Sequence, residues 1–100
     1  MNFVALFFAG AFLCNSIPHL CAGLQGTPFP TPFAKPHGVG ESPPLVNFLW
    51  GALNLAIGLA LLAYRPAAVG LNSESAAFAA GFVILGVPLS RHFGRVRARR

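Results

Sequence analysis

The chain has 100 residues, of which 55% are hydrophobic and 9% charged, with a formal net charge of +5. Soluble domains carry about a quarter charged residues, so this composition excludes an ordinary soluble fold and indicates one membrane domain in contact with a lipid bilayer. Five of the seven basic residues lie within the last ten positions. Because no basic folded surface is indicated, we expect no nucleic-acid partner.

The charged residues leave three long gaps along the chain. No charge precedes Lys35, and the first gap predicts a helix over residues 2–24, long enough for the ~30 Å hydrocarbon layer. A cleaved signal peptide is the alternative for this segment. It would begin with positive charge, which is missing here, so we expect a retained transmembrane helix.

The segment 25–42 separates the first span from the second. It contains four prolines, at positions 28, 30, 32 and 36, and each removes an amide donor and fixes φ. The pattern predicts an extended, partly polyproline-like loop without helix or strand. We interpret it as a connector, although a loop of this length can also be functional.

Two further spans are predicted after the loop. Residues 43–64 contain no charge and form the strongest span, closed by Tyr64 at an interface. Residues 73–90 form a shorter third helix that Asn72 or Ser73 can cap. An interfacial or tilted third helix is the alternative to a full span. Residues 91–100 are predicted to be a basic tail that contacts anionic lipid.

The basic residues also predict the orientation. With three spans, Lys35 and the five arginines of the tail share one side of the membrane, and Arg65 alone lies on the other. The positive-inside rule then places the 25–42 loop and the C-terminus in the cytoplasm. We therefore expect a multi-pass protein of the bacterial inner membrane.

A stripe of small and polar residues marks one face of the second span. On a helical wheel at 100° per residue, its members fall within about 60° of each other: Asn47, Gly51, Asn54 and Gly58. Small residues let helix backbones approach, and asparagines can hydrogen-bond across the contact. We interpret the stripe as a helix-packing face, and the alternative is a face that lines a ligand site.

The first span offers a polar partner for this stripe. Asn15 and His19 lie one turn apart on the same side of the helix. If the two helices are antiparallel, His19 is level with Asn47, and Asn15 lies within about one turn of Asn54. The sequence therefore predicts a polar contact between the first two spans.

The histidines raise the question of a metal or haem site. The topology brings His19, His37 and His92 to one membrane face, but their spacing matches no ligand motif. Cys14 and Cys21 are about 10 Å apart along one helix, too far for a disulfide. We therefore predict no metal site and no cofactor.

Part of the chain resembles a known family. Several stretches carry the resemblance. They are Ser16-Ile17-Pro18-His19, Phe29-Pro30-Thr31-Pro32-Phe33 and Ser42 through Asn47, followed by Leu49-Trp50-Gly51. These stretches are similar to a family of small uncharacterised bacterial integral membrane proteins. The resemblance covers residues 15–62. It implies a membrane location and no particular activity.

The remaining patterns bear on function. The chain is similar in length to small multidrug-resistance transporters, but those have four spans and an acidic residue in the first, whereas no span here contains one. With no aspartate and no paired carboxylates, we do not expect an enzyme and predict no catalytic residue. The sequence favours a structural or accessory subunit that packs against itself or a larger membrane complex. The alternative is an oligomeric small transport or channel module.

Overall fold

The protein is an all-α membrane protein with three helices, as the sequence predicts. A computed structural model describes residues 3–64 and 71–99. The helices are α1 (Phe3–Gln25), α2 (Pro44–Tyr64) and α3 (Ser73–Ala98), and each is long and apolar enough to cross a membrane. Arg65 and Arg100, which enter the orientation argument, lie outside the described residues.

α1 and α2 run in opposite directions. Phe48, near the start of α2, contacts Gly23 near the end of α1. Gly58, a few turns further along α2, contacts Leu13 near the middle of α1. This reversed order of contacts defines an antiparallel pair, which is the arrangement that two consecutive membrane spans require.

α1 and α3 run in the same direction, and α1 is the middle helix. Gly10 of α1 meets Phe78 of α3, and His19 further along α1 meets Phe93 further along α3. Within the described residues, α1 packs along both other helices, whereas α2 and α3 have few contacts with each other. The polar side chains of α1 are therefore placed between two neighbours.

The connection between α1 and α2 differs from the predicted loop. The sequence predicted no strand in residues 25–42, and that was wrong, because β1 (Phe29–Pro30) pairs antiparallel with β2 (Glu41–Ser42). Pro30 lacks only its donor, and its neighbours can still pair on an edge of so short a ladder. The buried hydroxyls of Thr31 and Ser42 hydrogen-bond at 2.5 Å beside the strand pair. The segment is a folded hairpin that covers one end of the helices.

The third helix is longer than the sequence indicated. The helix was predicted over 73–90 with a separate tail at 91–100, but α3 continues to Ala98. The prediction ended the helix at the membrane edge, whereas arginine, alanine and valine are acceptable in a helix and no proline follows Pro88. At 1.5 Å per residue α3 is about 39 Å long, longer than the hydrocarbon layer. At its other end Asn72 is the N-cap, accepting from the Ser75 amide at 2.9 Å.

The interior of the molecule contains few apolar side chains. Only Leu6 among the large aliphatic residues of α1 is fully buried, with small residues such as Ala9 and Ala22 beside it. The larger apolar side chains of all three helices face outward, as contact with lipid requires. Six polar side chains, by contrast, are buried: Ser16, His19, Thr31, Ser42, Asn47 and Asn54. The specific contacts of the fold are therefore largely polar.

Candidate functional site

The glycines of the predicted stripe lie on the α1–α2 contact. A Cβ atom added at Gly51 would lie 2.8 Å from the Leu20 backbone nitrogen and 3.1 Å from the Ser16 carbonyl oxygen. One added at Gly58 would lie 2.7 Å from the Leu13 side chain. Side-chain contacts are rarely that short, so the absence of a side chain at Gly51 and Gly58 permits this helix separation.

Asn47 is the most completely buried member of the stripe. Its side chain is 0% exposed. Its amide nitrogen donates to three backbone carbonyls, of Phe29 at 3.0 Å, Ser42 at 3.1 Å and Pro43 at 3.3 Å. Two of these belong to the hairpin strands, so this one amide holds the hairpin onto the start of α2.

His19 completes the hydrogen bonding of Asn47. Its Nδ1 lies 2.8 Å from the Asn47 Oδ1 atom. Because the Asn47 nitrogen faces the carbonyls, its oxygen faces His19 and can only accept, so His19 Nδ1 carries the proton and donates. In the neutral ring the second nitrogen, Nε2, then keeps its lone pair.

Aromatic rings surround the His19 imidazole. Phe29, Trp50 and Phe93 contact it edge to face, with ring centroids 5.5, 6.5 and 6.4 Å away. They come from the hairpin, α2 and α3 respectively. His19 is 2% exposed and has little freedom to rotate, so its two nitrogens point in defined directions.

A second polar pair lies further along the α1–α2 contact. Asn15 Nδ2 donates to Asn54 Oδ1 at 3.0 Å, and Asn54 Nδ2 donates to the Trp50 carbonyl at 2.8 Å. The Asn54 side chain is therefore oriented by a hydrogen bond within its own helix. Asn15 of the neighbouring helix donates to the Asn54 oxygen in that orientation. The pairs that helix phase and depth indicated, Asn15 with Asn54 and His19 with Asn47, are in contact.

The hairpin and α3 close the polar cluster. His92 Nε2 donates to the Gly38 carbonyl at 2.7 Å, and the rings of Phe29 and Phe93 are 4.7 Å apart. These contacts were missed at the sequence level, which placed His92 only on the same membrane face as His19 and His37. The sequence carries no periodic signal for them, because they join an irregular loop to a helix distant along the chain.

Potential metal ligands are dispersed in the part of the chain that the structure describes. There, no group of three or more His, Cys, Asp or Glu side chains is close enough to hold a metal ion. His37 is exposed, and its Nδ1 donates to the Pro32 carbonyl at 2.6 Å. Cys14 and Cys21 are both free thiols. The three histidines thus have three separate backbone or amide partners.

No family model, curated protein or solved structure matches the chain. The fold and composition define a small multi-pass membrane protein built on an α1–α2 interface with two buried polar pairs. The resemblance to small bacterial membrane proteins stays a prediction.

Proposed function

We propose that this chain is a non-catalytic structural or accessory subunit of the bacterial inner membrane that acts through helix packing. The main support for this proposal is the hydrogen bonding of the intramembrane polar side chains. Those of Asn15, His19, Asn47 and Asn54 hydrogen-bond to one another and to the backbone within the chain. A carrier or channel would direct such groups toward a path for its substrate.

The outer surface of α3 supports a partner-binding role. Of the most apolar stretch of each helix, 33% is buried in α1, 22% in α2 and only 6% in α3. Val83, Ile84 and Val87 of α3 are exposed aliphatic side chains. A second copy of the chain or a larger membrane protein can pack there, where lipid would otherwise lie.

The positive charges at the C-terminal end of α3 support a cytoplasmic location for that end and a contact with anionic lipid. Arg91, Arg95 and Arg97 are exposed on the helical extension of α3 that continues beyond the length of a span. An arginine-bearing helix end attracts anionic lipid headgroups by about 1 kcal/mol per residue close to the surface. With Lys35 of the hairpin at the same end, the charges favour a cytoplasmic location for that end.

Reporter fusions test this orientation. A reporter joined after the last residue is expected to be active on the cytoplasmic side, and one inserted at Asn72 on the opposite side. If both report the same side, the third helix does not cross the membrane and the proposed orientation is wrong.

Purification in a mild detergent, followed by native mass measurement, tests the accessory role. We expect a larger membrane protein to co-purify at fixed stoichiometry and Ile84→Ala to reduce its recovery. Ile17→Ala is the matched control, because Ile17 is an exposed isoleucine of α1. A homogeneous homo-oligomer without a larger partner would contradict membership of a larger complex and favour the transport or channel alternative.

A further inference from the structure

A cavity of about 230 Å³ lies beside His19, between α1, the hairpin, α2 and α3. Its walls include two histidines, His19 and His92, and two aromatic residues, Trp50 and Phe93. Among the described residues that line it, none is an acid, a lysine or an arginine. Such a lining suits an uncharged ligand with polar edges, since it offers no counter-charge to an ion.

The cavity presents one hydrogen-bond acceptor of defined direction. His19 Nδ1–H is used by Asn47, so Nε2 holds the lone pair, and no hydrogen bond to Nε2 is found within the described ranges 3–64 and 71–99. The imidazole is buried and held by its ring contacts. A ligand hydroxyl could donate to this nitrogen without any rearrangement of the helices.

Trp50 also lines the cavity, and its indole N–H is enclosed by the protein. The Trp50 Nε1 atom is buried, and no acceptor for it is found in the described part of the chain. Buried indole N–H groups usually have a partner, because leaving one unpaired in an apolar site is costly. The centroid of its ring lies 6.5 Å from that of His19. Trp50 therefore borders the cavity with its ring, beside the His19 acceptor.

The aromatic lining and the volume of the cavity point to a flat ring. Phe93 borders the cavity, and the ring of Phe33 holds Trp50 edge to face with centroids 5.0 Å apart. A cavity of about 150 Å³ is known to admit benzene, so about 230 Å³ has room for a substituted ring. Aromatic walls favour an aromatic or quinonoid ring over a flexible aliphatic alcohol.

We propose that this cavity binds the head group of a quinone or quinol. A quinol hydroxyl donates to His19 Nε2, and the ring packs against the Trp50 and Phe93 side chains. The site lies at the end of the helices, beneath the hairpin. A ring that enters from the membrane can contact polar groups there. This inference concerns ligand binding and does not depend on the accessory role proposed above.

Fluorescence of Trp50 tests the proposal directly, because it is the only tryptophan in the chain. Duroquinone and its reduced form, duroquinol, serve as tail-free probes on the purified full-length protein in detergent. We expect saturable quenching of Trp50 fluorescence by the quinone. We expect His19→Asn to weaken duroquinol binding about tenfold, the effect of losing one hydrogen bond. Asparagine keeps a donor at the δ position for Asn47 and removes Nε2.

His37→Asn is the matched control, since His37 also donates through Nδ1 but does not line the cavity. It is expected to bind as the wild type does. If His19→Asn fails to fold, equilibrium dialysis of duroquinol with Leu89→Phe replaces it; Leu89 lines the cavity, so a larger side chain there is expected to weaken binding at least as much. Non-saturable quenching, or equal binding by the cavity variant and the control, would mean that only water occupies the cavity and would overturn the proposal.

Discussion

The contact of α1 with α2 contains side-chain hydrogen bonds that its contact with α3 lacks. Side-chain hydrogen bonds cross the first contact, from Asn15 to Asn54 and from His19 to Asn47. Glycine lets the backbones approach at both contacts, and most closely at the second, where a Cβ atom added at Gly10 or at Gly81 would overlap a carbonyl oxygen of the other helix. No side-chain hydrogen bond between α1 and α3 is found within the described residues.

This difference separates two roles that helix contacts have in a membrane. Hydrogen bonds have direction, so they select one rotation and one depth of α2 against α1. Backbone approach through glycine supplies close van der Waals packing but tolerates sliding until a side chain obstructs it. We infer that α1–α2 specifies the fold and that α1–α3 depends on small residues at two positions.

The largest expected effect is at the α1–α2 contact itself. Gly51→Leu or Gly58→Leu would force a branched side chain against the Leu20 backbone or the Leu13 side chain. Overpacking of this kind costs about 1–3 kcal/mol, and more where backbone cannot move. We expect most folded protein to be lost in detergent, measured by size-exclusion profile and thermal unfolding.

The control for that change is on the opposite face of the same helix. Ala56 is exposed on α2, so Ala56→Leu adds the same bulk without meeting α1. It is expected to leave the amount of folded protein unchanged. Equal loss for Ala56→Leu, Gly51→Leu and Gly58→Leu would mean that α2 has no preferred packing face.

A smaller change tests the α1–α3 contact. Gly81→Ala places a methyl group against the Phe7 carbonyl, and the helices must separate to accept it. We expect a destabilisation of about 1–3 kcal/mol in unfolding experiments. Gly94→Ala in the same helix is the matched control, because its added Cβ would meet nothing within 4 Å.

The control is expected to have the opposite sign. Alanine is a better helix former than glycine by about 0.5–1 kcal/mol, so Gly94→Ala is expected to be neutral or slightly stabilising. If Gly81→Ala were as stable as Gly94→Ala, the α1–α3 contact would not require backbone approach. The distinction between the two contacts would then fail.

The same two contacts show what the sequence could predict. The polar pairs follow from helical phase and from the depth of each residue in its span. In α1 and in α2 the polar residues lie on one side of the helix, so that face can be distinguished from the apolar remainder. Gly10 and Gly81 were not singled out, since small residues occur around much of α3 and no polar residue marks the packed side.

The periodicity of the sequence could not predict the hairpin or the C-terminal end of α3. The four prolines in residues 25–42 indicate a loop but not its contacts. The hydrogen bond from Asn47 to the Phe29 carbonyl depends on the folded position of that loop, which the sequence pattern does not determine. Likewise, hydropathy locates the membrane edge near Arg91 but does not require the helix to end there. Tertiary contacts determine both features.

The smallest expected effect is the coupling between His19 and Asn47. Their contact is buried and short at 2.8 Å, yet polar contacts between membrane helices average only about 0.6 kcal/mol and reach about 1.7 kcal/mol. A His19→Ala, Asn47→Ala double-mutant cycle, measured by unfolding in detergent, is expected to give coupling of that order. The cycle is needed because Asn47→Ala alone also removes the amide that holds the hairpin, so the single change costs more than the pair.

The pair Asn15 and Asn54 provides the internal comparison for that cycle. Its 3.0 Å bond also joins α1 to α2, but Asn54 donates only within its own helix and holds no loop residue. We expect a similar coupling energy and a smaller single-change cost for Asn54→Ala than for Asn47→Ala. Zero coupling in both cycles, with Gly51→Leu still disruptive, would show that packing alone specifies α1–α2 and would remove the difference between the two sides of α1.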